Sequence, residues 1–262
     1  NIILIGTSQI ATANTTVINE KINERLVKNY TVYNLAYGAD NPTKRIKQID
    51  KIISMNPEIV FYGISYYDFP AVPDRDRLLT KSLEFLSNTI HHGNDFDNPQ
   101  LFTRIHLFQT KDLASKNKLI LNDHCFIASN TPFDEYCDRN RNADTVQELK
   151  ELPGPVWPTD YVNEHLNALS EIIEKFQKRN IKVVIFITPV HKDYYINRLS
   201  DYQRNSFENV LQIIKEKHRV DIFDFRYRYD NLPIWSDTSH IITSNGSIYE
   251  EDISKMIVEE LK

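Results

Sequence analysis

Three side chains in this sequence have the types and spacing of an activated nucleophile and its proton relay. Ser8 follows an unbroken apolar run, Ile2-Ile3-Leu4-Ile5, within Gly6-Thr7-Ser8-Gln9. A serine at the end of a buried strand and near the start of a helix carries its hydroxyl at the rim of a sheet. Backbone N–H groups beside it can stabilise a developing oxyanion. Towards the other end, Ser236-Asp237-Thr238-Ser239-His240 sets a carboxylate and an imidazole one turn apart. The carboxylate can accept from one ring nitrogen and fix the tautomer, while the other nitrogen takes the serine proton. Each half has a plainer explanation alone: a serine that caps a helix, and Asp and His as common loop residues. Their joint occurrence after two predicted strands is what points to nucleophilic catalysis, with Ser8 as nucleophile, His240 as base and Asp237 as its orienter.

Groups so distant in sequence need a scaffold that returns both to one edge. An open parallel sheet does this, because ligands bind outside the carboxyl ends of its strands. Residues 2–6 read as a strand buried on both faces. The spacing of Val17, Ile18, Ile22 and Leu26 predicts a helix over 16–28, and a short strand follows at 31–35. A helix begins near Pro42, takes its apolar face from Ile46, Ile49, Ile52 and Ile53, and breaks at Asn56-Pro57. Residues 58–64 form a third strand. This βαβαβ rhythm implies parallel strands with right-handed crossovers. It stops near Phe69, and 70–158 reads as an insertion or cap, closed by Pro153, Pro155 and Pro158. It resumes at Thr159-Asp160 with a helix to about 179, a strand at 182–188 ended by Pro189, a helix at 201–218, a strand at 220–225, a loop at 226–243 and a final helix at 247–261. The expected fold is a single domain over 1–262, a three-layer α/β/α sandwich with about five parallel strands and an insertion after the third.

Composition narrows the function. The net charge is -5 over 262 residues, without the basic face of a nucleic-acid protein. No apolar run approaches the roughly 20 residues that span a bilayer. The chain opens with Asn1 directly before its first strand, so a leader, anchor or initiator segment upstream of residue 1 is expected. Cys125 and Cys137 are close enough in sequence to be bridged. Asn14-Thr15-Thr16 and Asn245-Gly246-Ser247 are glycosylation-type sequons. Together these favour an extracytoplasmic or membrane-tethered protein, the alternative being a cytoplasmic one with two free thiols. No CxxC pair is present, and His91, His92, Asp95 and Asp97 fit no familiar metal-ligand spacing. No metal or organic cofactor is required. A flavodoxin-like phosphate binder would want glycine-rich cradles, and the chain has only 6 glycines.

Gly6-Thr7-Ser8-Gln9 resembles the first block of the SGNH (GDSL-like) hydrolases, and Asp237-Thr238-Ser239-His240 resembles their final Asp-x-x-His block. The resemblance covers about 1–69 and 159–262. It implies a flavodoxin-like strand order 2-1-3-4-5 and ester chemistry through an acyl-enzyme. It places Gly38, within Asn34-Leu35-Ala36-Tyr37-Gly38-Ala39-Asp40, in the oxyanion hole beside the Ser8 N–H. The family's third block reads Gly-x-Asn-Asp, whereas this chain has Gly63-Ile64-Ser65-Tyr66-Tyr67-Asp68. Ser65 then stands where the family has its oxyanion Asn. Its hydroxyl donates one hydrogen bond with shorter reach than an amide, and one such donor is worth roughly 3 kcal/mol in the barrier. Tyr66 or a cap residue is the alternative donor, and Asp68 reads as a cap of the next segment. Phe186-Ile187-Thr188-Pro189-Val190-His191 is similar to the fourth strand of divergent, often membrane-anchored relatives that handle acyl groups on envelope polymers. Tyr66 and His191 are candidate substrate-binding residues; for His191 an ordinary loop position is the equal alternative. Tyr62, Tyr66, Tyr67 and Phe69 either pack beneath the insertion or line a cleft, packing being the default. The implied substrate is an acylated small molecule or glycan. Water as acceptor makes the protein an esterase or deacetylase, and a sugar hydroxyl makes it an O-acyltransferase. A catalytically weakened domain that binds or assembles an envelope component is the second reading.

Overall fold

The structure, a computed structural model, describes residues 1–37, 40–69, 160–192, 195–196, 199–232, 234–235, 239–241 and 247–262. The segment expected as an insertion, with Cys125, Cys137, His91, His92, Asp95 and Asp97, lies outside the described residues. Five parallel strands, β1 (Ile2–Gly6), β2 (Val32–Asn34), β3 (Ile59–Ile64), β4 (Lys182–Ile187) and β5 (Asp221–Asp224), form one sheet in the order β2-β1-β3-β4-β5. The chain steps to opposite sides of β1, first to β2 and then to β3, so the switch point lies at the carboxyl end of β1.

Helices cover both faces, which is why β1 and β3 are buried at every residue and read as continuous apolar runs. The pleat sorts each strand between two cores. Ile3, Ile5, Val60, Tyr62, Val183 and Ile185 pack against α4 (Ile49–Ser54), α5 (Asp160–Gln177) and α6 (Asp201–His218). Ile2, Leu4, Phe61, Val184 and Phe186 pack against α1 (Ser8–Ala11), α2 (Thr15–Asn23) and α7 (Ser247–Leu261). The first side also carries α3 (Pro42–Arg45), with Pro42 in its opening turn. Among the described residues no helix is long and apolar enough to cross a membrane.

Helix α2 ends at Asn23, short of the 28 that its apolar spacing suggests. The Asn23 side-chain amide donates to the Tyr30 carbonyl at 2.9 Å and accepts from the Tyr30 N–H at 2.7 Å. A side chain that satisfies the returning backbone competes with further helix. Leu26 still packs beside the second core, while Val27 is fully exposed. At the helix start, Asn14 of the first sequon is the cap, and its Oδ1 accepts from the Thr16 N–H at 2.9 Å.

Two glycines set how closely α1 approaches the sheet. Gly6 and Gly63 are register partners at the ends of β1 and β3. The Ile10 side chain of α1 fills the notch above them. A Cβ on Gly63 would lie 1.9 Å from Ile10 Cδ1 and 2.7 Å from the Phe186 ring, and one on Gly6 would lie 2.2 Å from Ile10 Cδ1. Gly6 also has φ +143°, a conformation that L side chains rarely adopt.

Beyond β3 the chain turns through a short 3-10 helix, Tyr66–Asp68, closed by a capping box. The Ser65 N–H donates to Asp68 Oδ2 at 2.7 Å and the Ser65 hydroxyl to the same oxygen at 3.2 Å. Asp68 therefore closes its own turn, where its position in the sequence suggests a cap of the next segment. Its carbonyl lies 2.7 Å from His165 Nδ1 on α5. Burial pushes the Asp68 carboxyl up to about 8, against the opposing pull of the Ser65 hydrogen bonds.

These contacts generate two predictions. Gly63→Ala costs roughly 1–3 kcal/mol by overpacking. Because Ile10 is the atom in the way, Gly63→Ala and Ile10→Ala together are less destabilising than their separate effects added; strictly additive urea-unfolding energies would contradict the notch. For Asp68, the unfolded carboxyl ionises near its ordinary 3.8 and the folded one around 8. The native state holds the extra proton between those values, so this group's contribution to stability falls as pH rises from about 4 to about 8, then levels. The stability difference between wild type and Asp68→Asn should shrink or reverse across that window, and a pH-independent difference in urea melts would refute it.

Candidate active site

The short helix α1 begins at Ser8, with Thr7 as its extended N-cap residue. The N–H groups of Ile10 and Ala11 donate to the Thr7 carbonyl at 3.0 and 3.2 Å. The turn's own ladder thus starts beyond Ser8, as it must at a helix N-terminus. Thr7 also bonds through its hydroxyl to the Gln9 side-chain oxygen. Ser8 is half-buried at the carboxyl edge of β1, at the topological switch point.

His240 arrives from the opposite end of the chain. Trp235 and Ile241 form an antiparallel bridge, and His240 lies just before its second arm. The Ser8 Oγ is 2.7 Å from His240 Nε2, across a sequence separation of 232. That distance is within proton-transfer range. The other ring nitrogen, Nδ1, lies 3.4 Å from the Ser239 hydroxyl. Asp237 and Gly38 lie outside the described residues.

The remaining candidates from sequence fall into place unevenly. Ser65 follows Gly63 by the same step as Ser8 follows Gly6, and those two glycines are register partners at the ends of adjacent strands. The Ser65 hydroxyl, however, donates to Asp68. Tyr66 is buried, with its ring 4.1 Å from Tyr67 and edge-on to Tyr195 at 5.6 Å. Tyr62 and Phe69 are buried in the first core, and Tyr67 packs beside it. Packing accounts for this aromatic cluster. His191 is buried and meets the indole of Trp235 edge-on at 5.5 Å.

One group near the site was not singled out by its sequence. Arg45 is 1% exposed, and Asp40 is 3% exposed. The Arg45 Nε donates to Asp40 Oδ2 at 2.7 Å, and Nη2 donates to the same carboxylate and to the Leu35 carbonyl. Nη1 reaches the Gln48 amide oxygen at 3.3 Å, and the guanidinium sits 4.6 Å above the Tyr37 ring. Arg45 therefore ties together residues on both sides of position 38. Burial raises the Asp40 carboxyl above its ordinary value, and the Arg45 charge opposes that rise. A signal existed: Arg45 shares a helical face with Ile49 and Ile52, and a cation on a core face implies a buried partner. Among the described residues no group of three or more His, Cys, Asp or Glu side chains could hold a metal ion.

No protein-family model matches the chain, and no curated protein matches its sequence. Solved structures do match. An acetyl xylan esterase, AlAXEase, superposes with a TM-score of 0.51 at 14% identity, covering 100% of both chains. TesA gives 0.52 at 8% identity, covering 100% of this chain and 99% of its own. A lipase/acylhydrolase from Enterococcus faecalis gives 0.52 at 11% identity, covering 99% of this chain and 94% of its own. At such identities the likeness is one of fold. The chain has the SGNH, or GDSL-like, fold of serine esterases and acylhydrolases.

Proposed function

We propose that this protein is a serine-dependent esterase, deacetylase or O-acyltransferase that acts on an acyl ester. The observation that carries the reading is the 2.7 Å approach of Ser8 Oγ to His240 Nε2 at the sheet's carboxyl edge. In the proposed reaction His240 takes the Ser8 proton as Oγ attacks the ester carbonyl. The tetrahedral oxyanion is held by the Ser8 N–H and by Gly38, with Ser65 as an auxiliary donor. Collapse breaks the ester C–O bond, and His240 returns the proton to the leaving alcohol. Water, or a sugar hydroxyl, then attacks the acyl-Ser8 ester by the same route in reverse. Asp237 orients the imidazole and stabilises its charged form.

For the substrate we propose an acetylated glycan, of the kind named for the acetyl xylan esterase among the structural neighbours. Placement outside the cytoplasm belongs to the same proposal; fractionation of cells that express the protein tests it.

A second reading has its own observation. Where the SGNH family carries an oxyanion Asn, the Ser65 hydroxyl donates to Asp68. A donor turned away from the carbonyl favours a weakened domain that binds an acylated envelope component instead of turning it over.

A fluorophosphonate probe separates the two. The enzyme reading expects labelling of wild type, and none of Ser8→Ala. Ser8→Ala and His240→Ala should each abolish p-nitrophenyl acetate turnover while leaving circular dichroism unchanged. Full activity in either folded variant would end the triad assignment. Ser65→Ala should lose less than about 100-fold, the lower bound for a dedicated oxyanion donor. A loss equal to that of Ser8→Ala would make Ser65 essential.

A further inference from the structure

We infer that His191 and Trp235 are positioning residues that clamp the His240 segment against Ser8; this rests on the proposed nucleophile–base reading of that pair. Trp235 is buried in the second core, as are its neighbour Ile234 and its bridge partner Ile241. The bridge from Trp235 to Ile241 fixes the backbone position that directly follows His240.

The indole is itself held by two groups. Its Nε1–H donates to the Tyr229 carbonyl at 3.1 Å. The Tyr229 hydroxyl donates to Asp252 Oδ2 on α7 at 2.9 Å, and Arg228 Nε lies 2.6 Å from the same oxygen. The His191 ring also packs on it, inclined at 81° to the indole. His191 sits on a well-tied stretch after β4. The Val190 N–H donates to the Arg226 carbonyl at 3.1 Å, the Lys192 N–H to Asp230 Oδ1 at 3.0 Å, and the His191 carbonyl accepts from the Tyr195 N–H at 3.1 Å. The exits of β4 and β5 are thereby joined, and the His191 ring projects from that joint onto Trp235.

This geometry gives His191 a role other than the substrate contact its sequence position suggests. Its ring packs on the residue that anchors the His240 segment. A loosened anchor lets the imidazole drift, and a misplacement of about 1 Å at a reacting group can cost on the order of 100-fold in rate.

The test uses the full chain and p-nitrophenyl acetate. Trp235→Phe removes the indole N–H, and His191→Ala removes the packing ring. Each should lower kcat about ten-fold or more with KM little changed, and slow fluorophosphonate labelling in proportion. His191→Phe keeps an aromatic edge against the indole and should recover most of the loss. If His191→Phe instead raises KM at unchanged kcat, His191 contacts substrate and the clamp is wrong. If the variants only melt earlier, with the folded fraction labelling at the wild-type rate, the pair is merely structural and the inference also falls. A wild-type protein that takes up no probe would remove the nucleophile reading, and the clamp is then judged by the His240 ring resonances, assigned with His240→Gln. Trp235→Phe and His191→Ala must shift or broaden those signals. Unmoved signals would overturn it.

Discussion

How closely α1 lies on the sheet determines where Ser8 stands, and that approach depends on two absent side chains. Ile10 occupies the space that a Cβ on Gly6 or Gly63 would take. With both glycines in register, the helix turn descends onto the ends of β1 and β3, and Ser8 comes out at the rim of the switch point. A notch made of backbone is stiff, because interiors pack near crystalline density and yield little. The position of Ser8 is therefore inherited from the β1–β3 pair, which is buried at every residue.

The partner's position is fixed by different means. His240 lies outside the helices and strands, beside Ile241, whose bridge to Trp235 holds it. That bridge is anchored by an indole whose N–H is satisfied and whose ring faces His191. The 2.7 Å contact between Ser8 and His240 is the meeting of a serine set by sheet packing and an imidazole beside a bridged residue. The proposed proton relay between them would tolerate little play in either support, which gives a reason for the buried polar ties behind Trp235.

Much of this was legible in the chain. Strands β1 and β3 are continuous apolar runs because both sheet faces are covered there, and the βαβ rhythm makes the strands parallel. Ser8 and His240 were found from joint occurrence after strands, a signal that a parallel sheet converts directly into proximity. The features that were not legible are side-chain and bridge contacts that residue type and periodicity do not specify. Nothing local to Asn23 says that its amide will meet Tyr30 and end α2. Nothing local to Trp235 says that it will bridge to Ile241 and face His191. Arg45 lies between these cases: its place on the face of Ile49 and Ile52 marks it as buried, while its partners Asp40 and Leu35 emerge only once the chain is folded.

The third block shows what a departure from the family pattern does physically. An Asn placed after β3 could present its amide to the site. Ser65 has a single hydroxyl proton, and in this structure that proton and the backbone N–H both serve Asp68. Asp68 is buried and its carboxyl is pushed up to about 8, so near neutral pH the group holds its own proton much of the time. A protonated carboxyl no longer needs two donors. On the proposed reading, the Ser65 hydroxyl is then released to turn to an oxyanion, whereas ionised Asp68 retains it. On that reading the donor's availability depends on a neighbouring carboxyl, and the Ser65 contribution alone, read as the rate ratio of wild type to Ser65→Ala, should be larger on the acid side of that ionisation.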